Sequence, residues 1–367
     1  MASTLGTVYS TTGNHEMHPT NAFPPASIST SAQWMYDLLS ASWSRWIGPE
    51  ATSSTKSQQG VYSVRHPNSN LRIISLNTNM YYVQNYWLYR KTMLRDPNGQ
   101  FEWLVSELDK AEMVGERVYI VGHMSVGSHD AFYDQSNYLD QIVNRYANTI
   151  AGMFYGHTHK DHFQISYSDY SKRSRDTASA MSYIGPSLTP TSGMPAFRVY
   201  LVDPVTFAVL DHETYIADME DPNFQTKPVW KKYYSAKEKY APLVGPEFED
   251  AAAELTPAFW HRLTEVFEQD QAAFDDYVAR KTRGWDVKPC EGECRDLEIC
   301  ELRAARAQDN CYEAEPGVHF KKRAENPFHE RDECGISVGR ATVGSLAVRG
   351  EGVRLLSEVV AAGERPI

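Results

Sequence analysis

The sequence predicts an α/β fold followed by a small helical subdomain stapled by disulfides. Three observations support this prediction. Strand-like and helix-like apolar patterns alternate up to residue 155, and further strand-like segments follow up to residue 216. From about residue 226 the pattern becomes helical. All five cysteines lie after residue 289, within or beyond this helical part. This order indicates a sheet flanked by helices first and the stapled subdomain afterwards.

The first part of the chain contains the predicted sheet. Residues 5–10 alternate small and apolar side chains, which predicts a buried strand leading into the loop at 13–16. Apolar residues at helical spacing predict helices at 32–46, 100–111 and 138–146. Short apolar runs predict the remaining strands at 60–64, 71–77, 117–121, 150–155, 163–168, 180–185, 196–202 and 207–216.

The second part is predicted to be helical at 230–240 and 258–283, with the cysteine cluster behind these helices. Residues 313–367 are rich in Gly, Arg and Glu with weak periodicity, which predicts a disordered tail with a short helix over 353–361. The predicted domains are therefore 1–225, 226–312 and 313–367.

Four of the cysteines have the compact spacing C-x3-C-x5-C-x10-C: Cys290, Cys294, Cys300 and Cys311. This spacing favours disulfides, with Cys334 left as a free thiol. A structural zinc site is the alternative, although zinc ribbons favour C-x2-C pairs. Disulfides imply an oxidising compartment, whereas the first residues, MASTLGTVYSTTG, lack the basic and apolar regions of a signal peptide.

Composition narrows the range of partners. The chain has 367 residues and a net charge of −11, which argues against nucleic acid or an anionic membrane as the main partner. A zwitterionic lipid substrate needs no basic patch and is compatible with this charge. No apolar run approaches the roughly 18–20 residues of a membrane span, so any membrane contact would be peripheral.

Three loops that follow predicted strands carry metal-ligand residue types: Asn14 with His15, then His123, then His157 with His159. Each residue alone has an ordinary explanation as a turn residue or a packed histidine. Together they lie where an α/β sheet places its site, at the carboxyl ends of strands. Imidazole nitrogens and an amide oxygen suit divalent metals that act on phosphate oxygens, zinc in particular. If 157–159 were extended, both imidazoles would point the same way, one to each of two metals.

The segments around these loops resemble the acid sphingomyelinase family of the calcineurin-like metallophosphoesterase superfamily, fungal members most of all. The resemblance covers about residues 5–312 and includes GNHEMHPTNAFPP, LRIISLNTN, DPNGQFEWLVSELDKAE, VYIVGHMSVG, RYANTIAGMFYGHTHKD, VLDHETYI and PCEGECRDLEIC. It implies part of a metallophosphoesterase β-sandwich flanked by helices.

The resemblance also implies roles for individual residues. Asn14, His123 and His157 match the ligands of one zinc ion, and His159 matches a ligand of a second. His15 matches the histidine that protonates the leaving group. The pairs Cys290–Cys294 and Cys300–Cys311 match disulfides of the family. The implied reaction is cleavage of sphingomyelin to ceramide and phosphocholine, in a protein that is secreted or lysosomal or vacuolar.

One departure from the family limits these expectations. The first two metal motifs, D-x-H and G-D with a following His, occur nowhere in the chain. The expected protein therefore lacks the N-terminal part of the catalytic domain, including the bridging Asp, and has little or no activity. The alternatives are a non-catalytic pseudoenzyme or binding module, and a metallophosphoesterase acting on nucleotides or other phosphodiesters. The oligomeric state stays open.

Overall fold

A computed structural model describes residues 4–28, 32–89 and 93–312 of the chain. The predicted tail at 313–367, its short helix at 353–361 and the thiol of Cys334 lie outside the described residues. None of the helices in the described ranges is long and apolar enough to cross a membrane.

The larger sheet contains six strands in the order β1-β2-β3-β4-β6-β5. These strands are β1 Tyr62–Arg65, β2 Leu71–Ser75, β3 Arg117–Val121, β4 Ile150–Tyr155, β5 His162–Tyr167 and β6 Ala178–Ile184. The four strands β2, β3, β4 and β6 are parallel, whereas β1 and β5 pair antiparallel at the two edges. The carboxyl ends of the parallel strands therefore meet at one edge of the sheet, which is where this topology places functional loops.

Three helices pack against this sheet. They are α1 Gln33–Ser57, which bends at Gly48 and Pro49, α2 Gln100–Val114 and α3 Tyr133–Arg145. Leu104 and Leu108 of α2 and Leu139 of α3 are buried in one core with Ile120 and Met153 of the sheet. The three predicted helices are confirmed, but α3 begins five residues before the predicted start. Its first turn buries the polar Gln135 and Ser136, so apolar spacing did not reveal it.

The smaller sheet contains three antiparallel strands: β7 Ala196–Val202, β8 Val209–Ala217 and β9 Trp230–Ser235. It lies against the larger sheet, where the Tyr200 ring meets the Phe154 ring edge-on with centroids 4.8 Å apart. The prediction of a helix over 230–240 was wrong in its first half, because residues 230–235 pair with β8. Tertiary pairing overrides local propensity there. Ser235 then begins helix α4, Ala236–Val244, by accepting a hydrogen bond from the Glu238 amide.

The strand predicted at residues 5–10 is also wrong. Residues 4–7 are exposed, residues 8–10 are only half-buried, and the segment forms no ladder with the strands of the described ranges. Side chains hold it in place instead. The Tyr62 hydroxyl donates to the Ser10 carbonyl at 2.8 Å, and the Thr11 hydroxyl donates to the Leu76 carbonyl at 3.0 Å. The segment therefore reaches the site without joining a sheet.

The C-terminal helices share a core with the sheets. They are α4, α5 Pro257–Gln269, α6 Gln271–Lys281 and α7 Glu293–Leu302. The helix predicted over 258–283 is thus two helices, divided at Asp270, whose carboxylate caps α6. Trp260, Phe274 and Ile299 pack with Phe163 and Tyr183 of β5 and β6. A domain boundary at residue 226 stays a prediction.

The disulfide prediction is confirmed, because Cys290 bonds to Cys294 and Cys300 bonds to Cys311. These bonds occupy the thiols that the alternative zinc site would have used.

Candidate metal-binding site

Three of the predicted ligands meet at the carboxyl edge of the larger sheet. His123 follows β3 and His157 follows β4, and these parallel neighbours bring the two imidazoles together. Nε2 of His123 lies 3.2 Å from Nδ1 of His157 and 2.7 Å from Oδ1 of Asn14. Two atoms of metal-ligand type therefore lie within hydrogen-bond distance of a third, His123 Nε2.

Asparagine side chains hold Asn14 in this position. The Asn14 amide nitrogen donates to Asn21 Oδ1 at 2.8 Å, which leaves the Asn14 oxygen facing His123. The Asn21 backbone amide returns a bond to the Asn14 carbonyl at 3.0 Å. Asn79, just beyond β2, donates to the carbonyls of Thr12 and Gly13. The sequence analysis assigned no role to Asn21 or Asn79, because the contacts depend on loop conformation, including a positive φ of 71° at Asn21.

His123 is held as a neutral ring. Burial lowers its pKa well below the ordinary value, and the charges of His157, His159 and His15 lower the pKa further. Because Asn14 Oδ1 can only accept, the hydrogen-bond pattern assigns the His123 proton to Nε2. Metal binding through Nε2 would require that proton to move to Nδ1. Neutral imidazole is the form that ligates metals.

Asp130 is a site residue that the sequence analysis missed. Its Oδ2 lies 3.4 Å from Nε2 of His157, on the opposite side of the ring from His123. A carboxylate behind a histidine fixes the tautomer and makes the other ring nitrogen a better ligand. The sequence offers one indication of a role for Asp130, its place in the same loop after β3 as His123. That position alone is weak evidence.

His159 has a different environment. Its Nδ1 lies 2.6 Å from the Thr191 hydroxyl, in the loop between β6 and β7. The backbone is not extended here, since φ is 71° at His157 and 61° at His159. With both residues in the left-handed region, the simple alternation of a strand does not apply. His159 still lies close enough to influence the pKa of His123.

The loop at 13–16 places His15 at the surface beside Asn14. His15 and Glu16 are exposed, whereas Gly13 is buried. A Cβ added to Gly13 would lie 2.6 Å from Glu16 Oε2 and 3.2 Å from His123 Nδ1. A side chain at position 13 would therefore displace the Glu16 carboxylate and crowd the His123 ring.

The converging atoms fit one zinc ion by their chemistry. Two imidazole nitrogens and one amide oxygen are zinc-compatible donors, and three protein ligands leave positions for water or substrate. The set contains no anionic ligand. Within the described part of the chain, no three His, Cys, Asp or Glu side chains gather as a metal-binding group. For a second ion this part of the chain offers His159.

Comparisons with known proteins support the family that the motifs indicated. The chain is 35% identical over 309 residues to sphingomyelin phosphodiesterase from Bos taurus and from Homo sapiens, a match that covers 82% of this chain and 46% of each relative. It is also 30% identical over 314 residues to cyclic GMP-AMP phosphodiesterase SMPDL3A from Rattus norvegicus, covering 80% of this chain and 65% of the relative. The chain is thus homologous to phosphoric diester hydrolases.

Coverage and fold likeness are more limited. The chain spans about half the length of the curated sphingomyelin phosphodiesterases it matches. No protein-family model matches it. A solved structure titled "Structure of PhoD" covers 59% of this chain and 50% of its own chain at 10% identity, with a TM-score of 0.38.

Proposed function

We propose that this chain is a sphingomyelin phosphodiesterase-like hydrolase, of the fungal type, with a zinc site at Asn14, His123 and His157. The observation that supports it most is the convergence of three ligand-type atoms at the carboxyl edge of the sheet. Homology to sphingomyelin phosphodiesterases over 82% of the chain gives the reaction class. The substrate is then a phosphodiester lipid.

Each site residue has a role in this proposal. A bound zinc ion would supply a Lewis acid for the phosphate oxygens. Asp130 orients His157, while Asn21 and Asn79 orient Asn14. The exposed His15 lies beside Asn14 and donates a proton to the departing ceramide oxygen, a general-acid role that histidine performs near neutral pH. His159 would supply a ligand to a second zinc ion.

Zinc titration of the purified full chain by calorimetry tests the site. We expect binding that weakens at least tenfold in His123→Ala and His157→Ala, and about ten- to a hundredfold in Asp130→Asn, since carboxylates behind ligating histidines have effects of that size. His66→Ala is the matched control, because His66 follows β1 and bonds to Tyr9. Equal zinc binding by wild type and His157→Ala would contradict the proposed site.

Turnover is a separate question. Three neutral donors hold zinc less firmly than a set with a carboxylate, so we expect the 367-residue chain to release phosphocholine from sphingomyelin vesicles slowly or not at all. Zinc binding without turnover would favour the pseudoenzyme alternative. If the chain instead hydrolyses sphingomyelin in the presence of zinc, and His157→Ala abolishes that hydrolysis, the expectation of slow or absent turnover is wrong.

A second candidate substrate class is a nucleotide phosphodiester. It is favoured by the similarity to a relative named cyclic GMP-AMP phosphodiesterase. Cleavage of a nucleotide ester without cleavage of sphingomyelin would decide for it.

The compartment proposed for this hydrolase is the extracellular space, the lysosome or the vacuole. Two disulfides support an oxidising environment. Contact with a membrane surface is then peripheral, through the lipid substrate.

A further inference from the structure

Arg283 is a fully buried arginine just beyond the end of α6, with 0% of its surface exposed. Its Nε donates to the Met194 carbonyl at 2.8 Å, and its Nη1 donates to the His159 carbonyl at 2.5 Å. Those carbonyls belong to different loops, one after β4 and the other between β6 and β7. One guanidinium therefore joins both loops to the C-terminal helices.

Other contacts bring the same three segments together. The Asp161 amide donates to the Lys281 carbonyl at 3.0 Å, which attaches the loop after β4 to the end of α6. A Cβ added to Gly193 would lie 2.1 Å from the Thr282 carbonyl oxygen and 2.7 Å from Arg283 Cζ. The loop between β6 and β7 thus packs so closely on Thr282 and Arg283 that no side chain fits at position 193.

The backbone at this junction needs external support. His159 has φ of 61° and Arg283 has φ of 55°, a region that is unfavourable for residues other than glycine. Such conformations persist only where surrounding contacts determine them. A planar guanidinium presents donors in fixed directions and can bond two carbonyls at once, which the single ammonium group of lysine does less well.

We propose that Arg283 is a positioning residue for the candidate site. By bonding the carbonyls of His159 and Met194, it fixes the loop conformation that presents the His159 imidazole beside Thr191. The link to zinc rests on the proposed function, whereas the effect on the loops does not.

Lysine substitution in the full chain tests this role. We expect Arg283→Lys to accelerate amide hydrogen exchange in residues 157–161 and 192–194 by about ten- to a hundredfold, as loss of one charge-assisted hydrogen bond would do. In the zinc-free protein the NMR resonances of the His159 imidazole should shift or broaden. Arg280→Lys is the matched control, because Arg280 lies in the last turn of α6, close to Arg283 in sequence, but bonds to Asp276.

Two results would overturn the proposal. One is unchanged exchange and an unchanged His159 imidazole in Arg283→Lys. The other is uniformly faster exchange throughout the chain, which would show that Arg283 only stabilises the core. If the wild-type chain binds no zinc, the proposed function fails while both readouts still decide the role of Arg283.

Amide hydrogen exchange in the wild-type chain provides a second test, which does not depend on whether a variant folds. If Arg283 and its neighbours form one unit, the amides of Asp161 and Gly284 open with a common free energy. Rapid exchange at Asp161 while the Gly284 amide, bonded to the Ala279 carbonyl at 2.8 Å, stays protected would overturn the proposal.

Discussion

Asp140 is a buried carboxyl group away from the candidate site. It is 3% exposed on α3, and it accepts hydrogen bonds from the Tyr170 hydroxyl and the Asn144 amide. Burial raises its pKa to about 6, although Tyr170 and Arg306 lower the pKa and Asp309 raises it further. The folded protein therefore favours the protonated acid. The stability that this preference provides is present below the unfolded pKa and is lost as the pH rises through about 6.

Asp140→Asn should remove this pH dependence. Between about pH 4 and about pH 7, we expect the unfolding free energy of the variant to increase relative to wild type by about 2 kcal/mol, because one pKa unit corresponds to about 1.4 kcal/mol and part of the shift lies below pH 4. Any pH-independent cost of the amide cancels in this difference. Urea unfolding at several pH values measures it, with Asp176→Asn as the exposed control. A stability difference that is constant with pH would contradict the prediction.

At the scale of single elements, the disulfide-bonded segment after α7 packs directly on the loop that carries His123. A Cβ added to Gly127 would lie 1.9 Å from the Ala304 carbonyl oxygen and 2.4 Å from Ala305 Cα. The Asn310 side chain also donates to the Gly127 carbonyl at 3.0 Å. Because the opposing atoms are backbone, a side chain at 127 must displace one of the two segments.

We therefore expect Gly127→Ala to lower the free energy of unfolding by about 1–3 kcal/mol or more, the usual range for overpacking. Thermal and urea unfolding measure the effect. Gly6→Ala is the control, since no neighbouring atom lies within 4 Å of a Cβ at that position. Equal stability of the two variants would show that the segment after α7 can shift to accommodate the added methyl group without loss of unfolding free energy.

These contacts show what could and could not be predicted from the sequence. Strands β3 and β4 matched their predicted bounds because apolar runs between turns specify them locally. His123 and His157 were identified because both residues directly follow parallel strands. Asp130 and Arg283 were not, because their roles depend on contacts between loops distant in sequence. The wrong element at 230–235 has the same cause, since pairing with β8 determines it.

At the scale of the whole molecule, the two faces of the larger sheet differ. Helices α2 and α3 cover one face. On the other face Leu71 and Ile73 are buried, beside the half-buried Val64, Tyr119, Val121 and Ala151. The smaller sheet adds a second apolar surface. Phe197, Val199 and Leu201 of β7 are 38%, 42% and 45% exposed, and within the described ranges β7 is an edge strand. An exposed apolar edge strand favours association between chains.

We expect the purified chain to associate reversibly as its concentration rises, and Val199→Lys to shift the population toward monomer. A lysine on an edge strand opposes strand-to-strand pairing because its charge would be buried by the partner. Sedimentation velocity over a range of concentrations measures the distribution. Val205→Lys is the matched control, since Val205 is 77% exposed in the turn after β7. A wild-type chain that stays monomeric throughout, or equal effects of the two lysines, would show that β7 does not drive association.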